Sequence, residues 1–202
     1  MDAGLYLEGE ERFGFITSAL YSKFSGISSK RLYGAVLEKI QRFGPKRILD
    51  VGCGPGDILI RISEEFKELE LYGVDPSPYM VNIARKKIVK SDYEPAIRID
   101  LGSSRSVPFK PNFDMIITSL SYHHWKEQRE GLEYLLGLLN ESGILVIIEF
   151  NPEKYPARLP FMRNHTLSRE NAERITFNGF ERYIELSADM KLLMVIFRKL
   201  PE

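Results

Sequence analysis

The run Ile48-Leu49-Asp50-Val51-Gly52-Cys53-Gly54-Pro55-Gly56-Asp57 decides the fold. A short apolar segment closes on three alternating glycines and leads straight into residues with helical spacing, Ile58, Ile62 and Phe66. Glycine is required where the backbone takes positive φ, or where a ligand approaches the main chain with no Cβ in the way. A tight strand-to-helix connection alone needs one glycine, so three imply a ligand lying against this turn. In a doubly wound sheet, ligands bind beyond the carboxyl ends of the strands where strand order reverses, and the turn after the first strand lies there.

On both sides of this turn, short β-branched runs alternate with longer amphipathic ones, the pattern of βαβ units and a parallel sheet. Strands are predicted at Arg47–Val51, Leu69–Val74, Ala96–Leu101, Phe113–Ser119, Gly143–Glu149, Arg182–Leu186 and Leu192–Arg198. Helical spacing links Leu32, Val36 and Ile40, then Met80, Ile83, Ala84 and Ile88, then Leu132, Leu135, Leu136 and Leu139. Ser77 ahead of Pro78, and Ser168 ahead of a run ending near Asn178-Gly179, read as helix caps. Only Ser187-Ala188-Asp189-Met190-Lys191 separates the last two strands, too little for a parallel crossover, so the final strand is predicted antiparallel. The expected fold class is α/β, a doubly wound Rossmann-like seven-stranded sheet, mostly parallel with an antiparallel last strand, with helices on both faces. One domain over residues 1–202 is expected: a helical cap in 1–45 over the sheet's edge or the ligand mouth, a binding core in 46–150, and a loop, helix and hairpin in 151–202.

Lys plus Arg and Asp plus Glu stand at 28 each, so no global positive field draws the chain to nucleic-acid phosphates. Arg85, Lys86, Lys87 and Lys90 form a local basic cluster that reads as a solvated helix face. The single cysteine, Cys53, rules out an intrachain disulfide and fits a reducing compartment. The opening residues MDAGLYLEGEERFGF carry no basic-then-apolar leader, and no apolar run approaches the ~20 residues of a membrane span. A cytoplasmic location is expected.

The acids around the turn bear on the ligand's charge. A dinucleotide fingerprint is G-x-G-x-x-G with a pyrophosphate on the helix amino terminus. Here the third glycine comes one place early, at Gly56, and Asp57 stands where that pattern wants glycine. A carboxylate there repels a pyrophosphate but accommodates a ligand carrying an ammonium and a sulfonium. Asp75 ends the second predicted strand, placed to accept hydrogen bonds from two ribose hydroxyls, a feature shared with NAD sites. Asp100, ending the third, can take an exocyclic amine such as adenine's, and Asp50 is a fourth acid near the same rim. Such like charges disfavour one another's ionisation, and a cationic ligand relieves the conflict.

These residues resemble those of the class I S-adenosylmethionine-dependent methyltransferases, particularly the small group that includes the ubiquinone and menaquinone biosynthesis enzymes. Asp50-Val51-Gly52-Cys53-Gly54-Pro55-Gly56 resembles the family's first motif, Gly73-Val74-Asp75-Pro76-Ser77 the second and Ile99-Asp100 the third. Phe113-Asp114-Met115-Ile116 resembles the fourth, and Leu138-Leu139-Asn140-Glu141-Ser142-Gly143-Ile144-Leu145 the fifth. The resemblance implies that Asp75 holds a ribose, that Asp100 and Leu101 meet an adenine, and that Gly52 and Gly54 lie against the methionine part of S-adenosyl-L-methionine. Asp50, Gly56, Pro76, Met80 and Ser119 complete the expected cofactor-binding set, with Cys53 as a small turn residue rather than a nucleophile. Tyr21 resembles the aromatic that relatives close over the cofactor. The DNA and glutamine N-methylating branches carry Asn or Asp, two prolines and an aromatic after the fourth strand, whereas this chain reads Ser119-Leu120-Ser121-Tyr122-His123-His124-Trp125.

Methyl transfer from a sulfonium is an in-line displacement, and holding the reactants in line accounts for much of the acceleration. An acceptor that loses a proton also needs a base, for which His123 or His124 is the candidate near neutral pH; the competing reading is a packing histidine at a helix start. Adjacent histidines on a strand do not face one site together, and with only His165 besides, no metal site is expected. The loop with Pro152, Pro156, Pro160, Tyr155, Phe161 and Met162 is either an acceptor pocket or a stiff connector, with Arg163 and His165 as anchors for an anionic acceptor. The expected partner is a small-molecule methyl acceptor, with no clear nucleic-acid binding. Methylation of protein or RNA, a nucleotide-dependent oxidoreductase, and a non-catalytic S-adenosylmethionine-binding subunit are the alternatives.

Overall fold

The computed structural model describes residues 30–90, 96–110, 112–154 and 166–200. The backbone of these segments forms helix α1 (30–43), β1 (Arg47–Val51), α2 (Asp57–Glu65), β2 (Glu70–Asp75), α3 (Pro78–Lys90), β3 (Ile97–Leu101) and β4 (Phe113–Ser119). Then come a 3₁₀ turn (Tyr122–His124), α4 (Gln128–Leu136), β5 (Leu139–Phe150), a second 3₁₀ turn (Pro152–Lys154), α5 (Arg169–Arg174), β6 (Phe180–Leu186) and β7 (Leu192–Lys199).

The seven strands make one sheet in the order β3-β2-β1-β4-β5-β7-β6. Pairings among β1 to β5 are parallel, while β7 runs antiparallel to both β5 and β6. The expected last-strand reversal is therefore present, inserted between β5 and β6. Side chains alternate across each strand. Ile48, Leu71, Met115, Ile117, Val146 and Met194 join α1, α2 and α3 in one core, and Leu49, Val74, Ile116, Leu145 and Val195 join α4 and α5 in the other. Strand order reverses between β1 and β4, so their carboxyl ends open a crevice on one rim of the sheet.

Several sequence expectations shift for identifiable reasons. Leu139 does not continue α4: Gly137 ends that helix, and Leu139 opens β5 opposite Phe113. The buried stripe of α2 is Leu59, Ile62 and Ser63 rather than Ile58, Ile62 and Phe66, because the helix begins at Asp57 with Gly56 as its left-handed cap. In α3, Val81 takes the buried place expected for Ile83. Ser77 and Ser168 do cap, accepting from the amides of Met80 and Asn171, but the helix after Ser168 stops at Arg174, short of Asn178. The described part of the amino-terminal cap packs on a sheet face and reaches the edge strand β6. It buries Leu32, Val36 and Ile40 in the first core and is tied to the terminal hairpin by Arg31–Asp189 and Arg42–Glu185.

Lys39 on α1 is fully buried and held by Glu185 at 2.5 Å and Glu38 at 2.8 Å. Burying an ammonium is tolerated only when it is paired, and removing a partner leaves an uncompensated charge. Glu185→Ala is expected to destabilise the protein by about 2–3 kcal/mol in urea titrations, with Lys39→Met/Glu185→Leu recovering most of the loss.

Candidate active site

The glycine turn is held from below. Gly52 and Cys53 donate their amides to the Val74 carbonyl at 2.8 and 3.0 Å, and Gly54 donates to Asp75 Oδ2 at 2.9 Å. The other oxygen of Asp75 accepts the Ser77 amide at 2.9 Å, so one carboxylate joins the turn after β1 to the turn after β2. Gly52, Gly54 and Gly56 all have positive φ. The space argument is more specific than the sequence implied: a Cβ on Gly52 would lie 2.0 Å from Ser121 Oγ, and one on Gly56 would press on Ala84 and Ile99 at 3.2 Å. Protein packing explains these two, and only Gly54 of the three opens onto free space.

A cleft lies over this turn at the β1/β4 reversal. Val51, Gly52, Gly54, Pro55, Asp75, Pro76, Ser77 and Met80 line one side, Ser103 and Ser104 the end beyond β3, and Ser119, Leu120, Ser121, His124 and Trp125 the side after β4. Of the expected site residues, Gly52, Gly54, Asp75, Pro76, Met80, Ser119 and His124 thus come together. Asp50, Cys53 and Gly56 lie outside the lining, with Asp50 and Cys53 buried beside the turn. Asp100 and Leu101 are also outside it, and Asp100 is engaged by Arg85 at 2.8 Å and by the Leu101 amide. Tyr21 and all but Pro152 of the proline-rich loop residues lie outside the described residues, as do Arg163 and His165.

The electrostatics differ from four bare acids. Lys87 reaches Asp57 at 2.5 Å and Arg85 pairs with Asp100, so half of the cluster read as a solvated helix face neutralises two of the four carboxylates. Paired with Lys87, Asp57 repels a pyrophosphate less than a bare carboxylate does. Asp50 and Asp75 lie buried beneath the turn. Burial first, and the Asp75 charge second, push the Asp50 carboxyl up to about 7, and its Oδ1 has no hydrogen-bond partner among the described residues.

After β4 the chain bends through Leu120, a non-glycine residue at φ 51, the kind of local strain that collects at functional sites. The bend sets Tyr122–His124 into a 3₁₀ turn closed by His124 N–H to the Ser121 carbonyl at 3.0 Å. On that turn the two histidine rings lie with their centroids 4.0 Å apart. His124 lines the cleft, whereas His123 sits behind it against Glu149 of β5, Nδ1 to Oε2 at 2.9 Å. Glu149 was not anticipated as part of the site. Ser103, Ser104, Ser121 and Trp125 were likewise missed; their one sequence signal is a position just past a strand's carboxyl end. Among the described residues no group of three or more His, Cys, Asp or Glu is disposed to hold a metal ion, and no helix is long and apolar enough to cross a membrane.

With this geometry in view, comparison with known proteins is decisive for the core. A family model described as a methyltransferase domain matches residues 48–143. That stretch, just under half of the chain, is similar to the methyltransferase domain. Over 109 residues it is 30% identical to a demethylmenaquinone methyltransferase of Deinococcus radiodurans, covering 54% of this chain and 44% of that one. Over 124 residues it is 30% identical to a Bacteroides fragilis protein of the same name, covering 60% and 51%. The chain therefore spans about half the length of the curated relatives it matches. Among solved structures, a provisionally assigned S-adenosyl-L-methionine-dependent methyltransferase of Methanococcus maripaludis superposes with TM-score 0.80 at 21% identity, covering 98% of each chain. The plantazolicin methyltransferase BpumL, solved with a desmethyl substrate analogue and SAH, gives 0.74 at 17% identity, over 93% of this chain and 91% of that one. These likenesses establish a shared methyltransferase fold.

The buried acid under the turn makes stability depend on pH in a defined direction. Because the folded state holds the Asp50 proton up to about 7 and the unfolded chain releases it near 3.8, the folded state binds more protons between these values. Stability from this group is full below the lower value and is lost as pH rises through the upper one. Relative to the wild type, Asp50→Asn is expected to gain on the order of 4 kcal/mol between pH 4 and pH 7, measured by urea unfolding across that range.

Proposed function

We propose that the protein is an S-adenosylmethionine-dependent methyltransferase acting on a small hydroxylated aromatic of the quinol class. The observation that carries this reading is the cleft itself. One wall is a side-chain-free main chain braced by a buried carboxylate, and the opposite wall presents an imidazole and an indole.

The residues fit a cationic nucleoside. Two buried acids, Asp50 and Asp75, stand under the wall, and Asp50 Oδ1 and Ser119 Oγ are buried polar atoms without partners among the described residues. Asp75, which lines the cleft, is the acceptor assigned to two ribose hydroxyls. Gly54 and Gly52 let the amino-acid portion approach the main chain, and a positive ligand charge restores the ionised form of Asp50 at neutral pH. Pro76 and Met80 supply an apolar flank to the sugar and base. Ser103 and Ser104 are better placed for the base than Asp100, which serves Arg85. When bound, the cofactor supplies a methyl group activated on a sulfonium.

The chain's contribution is placement. Acceleration comes from holding acceptor, methyl and sulfur in line, an effect for which oriented models suggest roughly 7–11 kcal/mol. Trp125 and Leu120 offer flat and apolar surface to an aromatic ring, and the Ser119–Trp125 wall faces the glycine turn across the cleft. The quinol class is supported by the relatives named as demethylmenaquinone methyltransferases.

Calorimetry with S-adenosylhomocysteine, alongside NADH, tests the cofactor, and mass spectrometry of 1,4-naphthohydroquinone incubated with S-adenosylmethionine tests the acceptor. Heat with the first ligand alone and a product heavier by one methylene are expected. Binding of NADH instead would overturn the reading. Asp75→Ala is expected to weaken S-adenosylhomocysteine at least tenfold and also to lower the melting temperature, since two hydrogen bonds to a charged acceptor, each about 1.5–3 kcal/mol, are lost.

A further inference from the structure

We propose that Glu149, His123 and His124 form a proton relay in which His124 takes the acceptor's proton at the cleft and Glu149 stores it beneath the sheet's rim. This rests on the methyltransferase reading above and adds to it a requirement: the acceptor is one that must lose a proton to react, a phenolic hydroxyl or the acidified ring carbon beside it, rather than a thiolate or an already neutral amine.

The geometry is continuous. Glu149 is fully buried near the end of β5; its Oε1 accepts the His123 amide at 3.3 Å and its Oε2 lies 2.9 Å from His123 Nδ1. On the far side of the same ring, His123 Nε2 lies 2.9 Å from His124 Nε2, and His124 lines the cleft beside Ser121 and Trp125. Two imidazole nitrogens at that distance share one hydrogen, so the protonation of each group dictates that of the next. With Glu149 ionised, His123 donates from Nδ1 and accepts at Nε2 the hydrogen carried by His124 Nε2. The atom through which His124 then takes a proton is Nδ1.

The balance follows. The acceptor's proton moves to His124 Nδ1, the Nε2 hydrogen of His124 passes to His123 Nε2, and the Nδ1 hydrogen of His123 passes to Glu149. The electron pair left on the acceptor forms the new bond to the methyl carbon, while the pair of the broken carbon–sulfur bond stays on sulfur, which becomes neutral. Transfer to a ring carbon then releases the proton of that carbon to water, restoring the aromatic ring. Both imidazoles end neutral, so no imidazolium is stranded against the sulfonium site. Burial pushes the Glu149 carboxyl well above its ordinary range, opposed in part by the His123 and Tyr122 amides, so the relay runs only where pH is high enough to leave Glu149 ionised beforehand. Tyr122, the other titratable neighbour, has its hydroxyl pushed to about 12 by burial and by the Glu149 charge, so it stays protonated and takes no part. Packing alone would account for His123 on Glu149; it gives no reason for His124 to face the cleft while bonded to His123.

The chain has three histidines, so the imidazoles are separable by nitrogen NMR. With ¹⁵N-histidine label and S-adenosylhomocysteine bound, the wild type is expected to show His123 carrying its proton on Nδ1 and a coupling between the two Nε2 atoms across their shared hydrogen. Glu149→Gln is expected to invert the His123 tautomer and move the His124 titration to lower pH. In methyl transfer to 1,4-naphthohydroquinone the acid limb of the pH profile follows that move, and the rate falls about tenfold or more. His124→Gln, at the cleft surface, is expected to abolish transfer while keeping S-adenosylhomocysteine affinity within twofold. Absence of the Nε2 coupling in the wild type, or full transfer by His124→Gln, would overturn the relay even if Glu149→Gln does not fold. Failure of S-adenosylhomocysteine to bind the wild type is the separate result that removes the methyltransferase reading itself.

Discussion

One carboxylate organises the rim of this sheet. Asp75, at the end of β2, receives the amides of Gly54 and Ser77, and through them it locks the bend after β1 to the start of α3. Everything else at the site is measured from that brace. The bend keeps its main chain turned toward the cleft, Asp50 is trapped beneath it, and the opposing wall after β4 packs against Gly52 so closely that no side chain fits there. A carboxylate that binds two amides and also lines the cleft is a structural staple set where the proposed ribose lies.

Charge around this brace is distributed unevenly, and that distribution sets what the cleft prefers. The outer acids Asp57 and Asp100 are matched by Lys87 and Arg85 from α3, whereas Asp50 and Asp75 are buried beneath the glycine turn. The neutralised outer pair carries little of the cleft's field. In the proposed binding mode the attraction for a cation comes from Asp50 and Asp75, deep under the glycines, where the low dielectric strengthens it.

Much of the fold was legible because its periodicities are local. Phe113–Ser119 and Arg47–Val51 were read to the residue, and the reversal of β7 followed from the short link Ser187–Lys191. Errors arose where a second element overrode the pattern. Leu139 has helical spacing from Leu135 but is captured by Phe113 across the sheet, and in α3 the buried face takes Val81 in place of Ile83. The site was half legible. Glycines, Asp75 and the histidines announce themselves by type and position, but Glu149 lies 26 residues from His123 and looks like any strand-end acid until β5 is laid beside β4. The neutralisation of Asp57 by Lys87 is equally long-range, spanning 30 residues, and no reading of the glycine motif alone contains it.

The account stands on the claim that the braced main chain after β1 is where a cationic nucleoside sits. An amide-resolved NMR titration of the ¹⁵N-labelled protein with S-adenosylmethionine addresses it directly. Saturable shifts centred on Gly52, Gly54, Asp75, Ser77 and Ser103–Ser104, fading toward the β6–β7 hairpin, are the result expected. Shifts centred elsewhere, with the Gly52 and Gly54 amides unmoved at saturation, would contradict it.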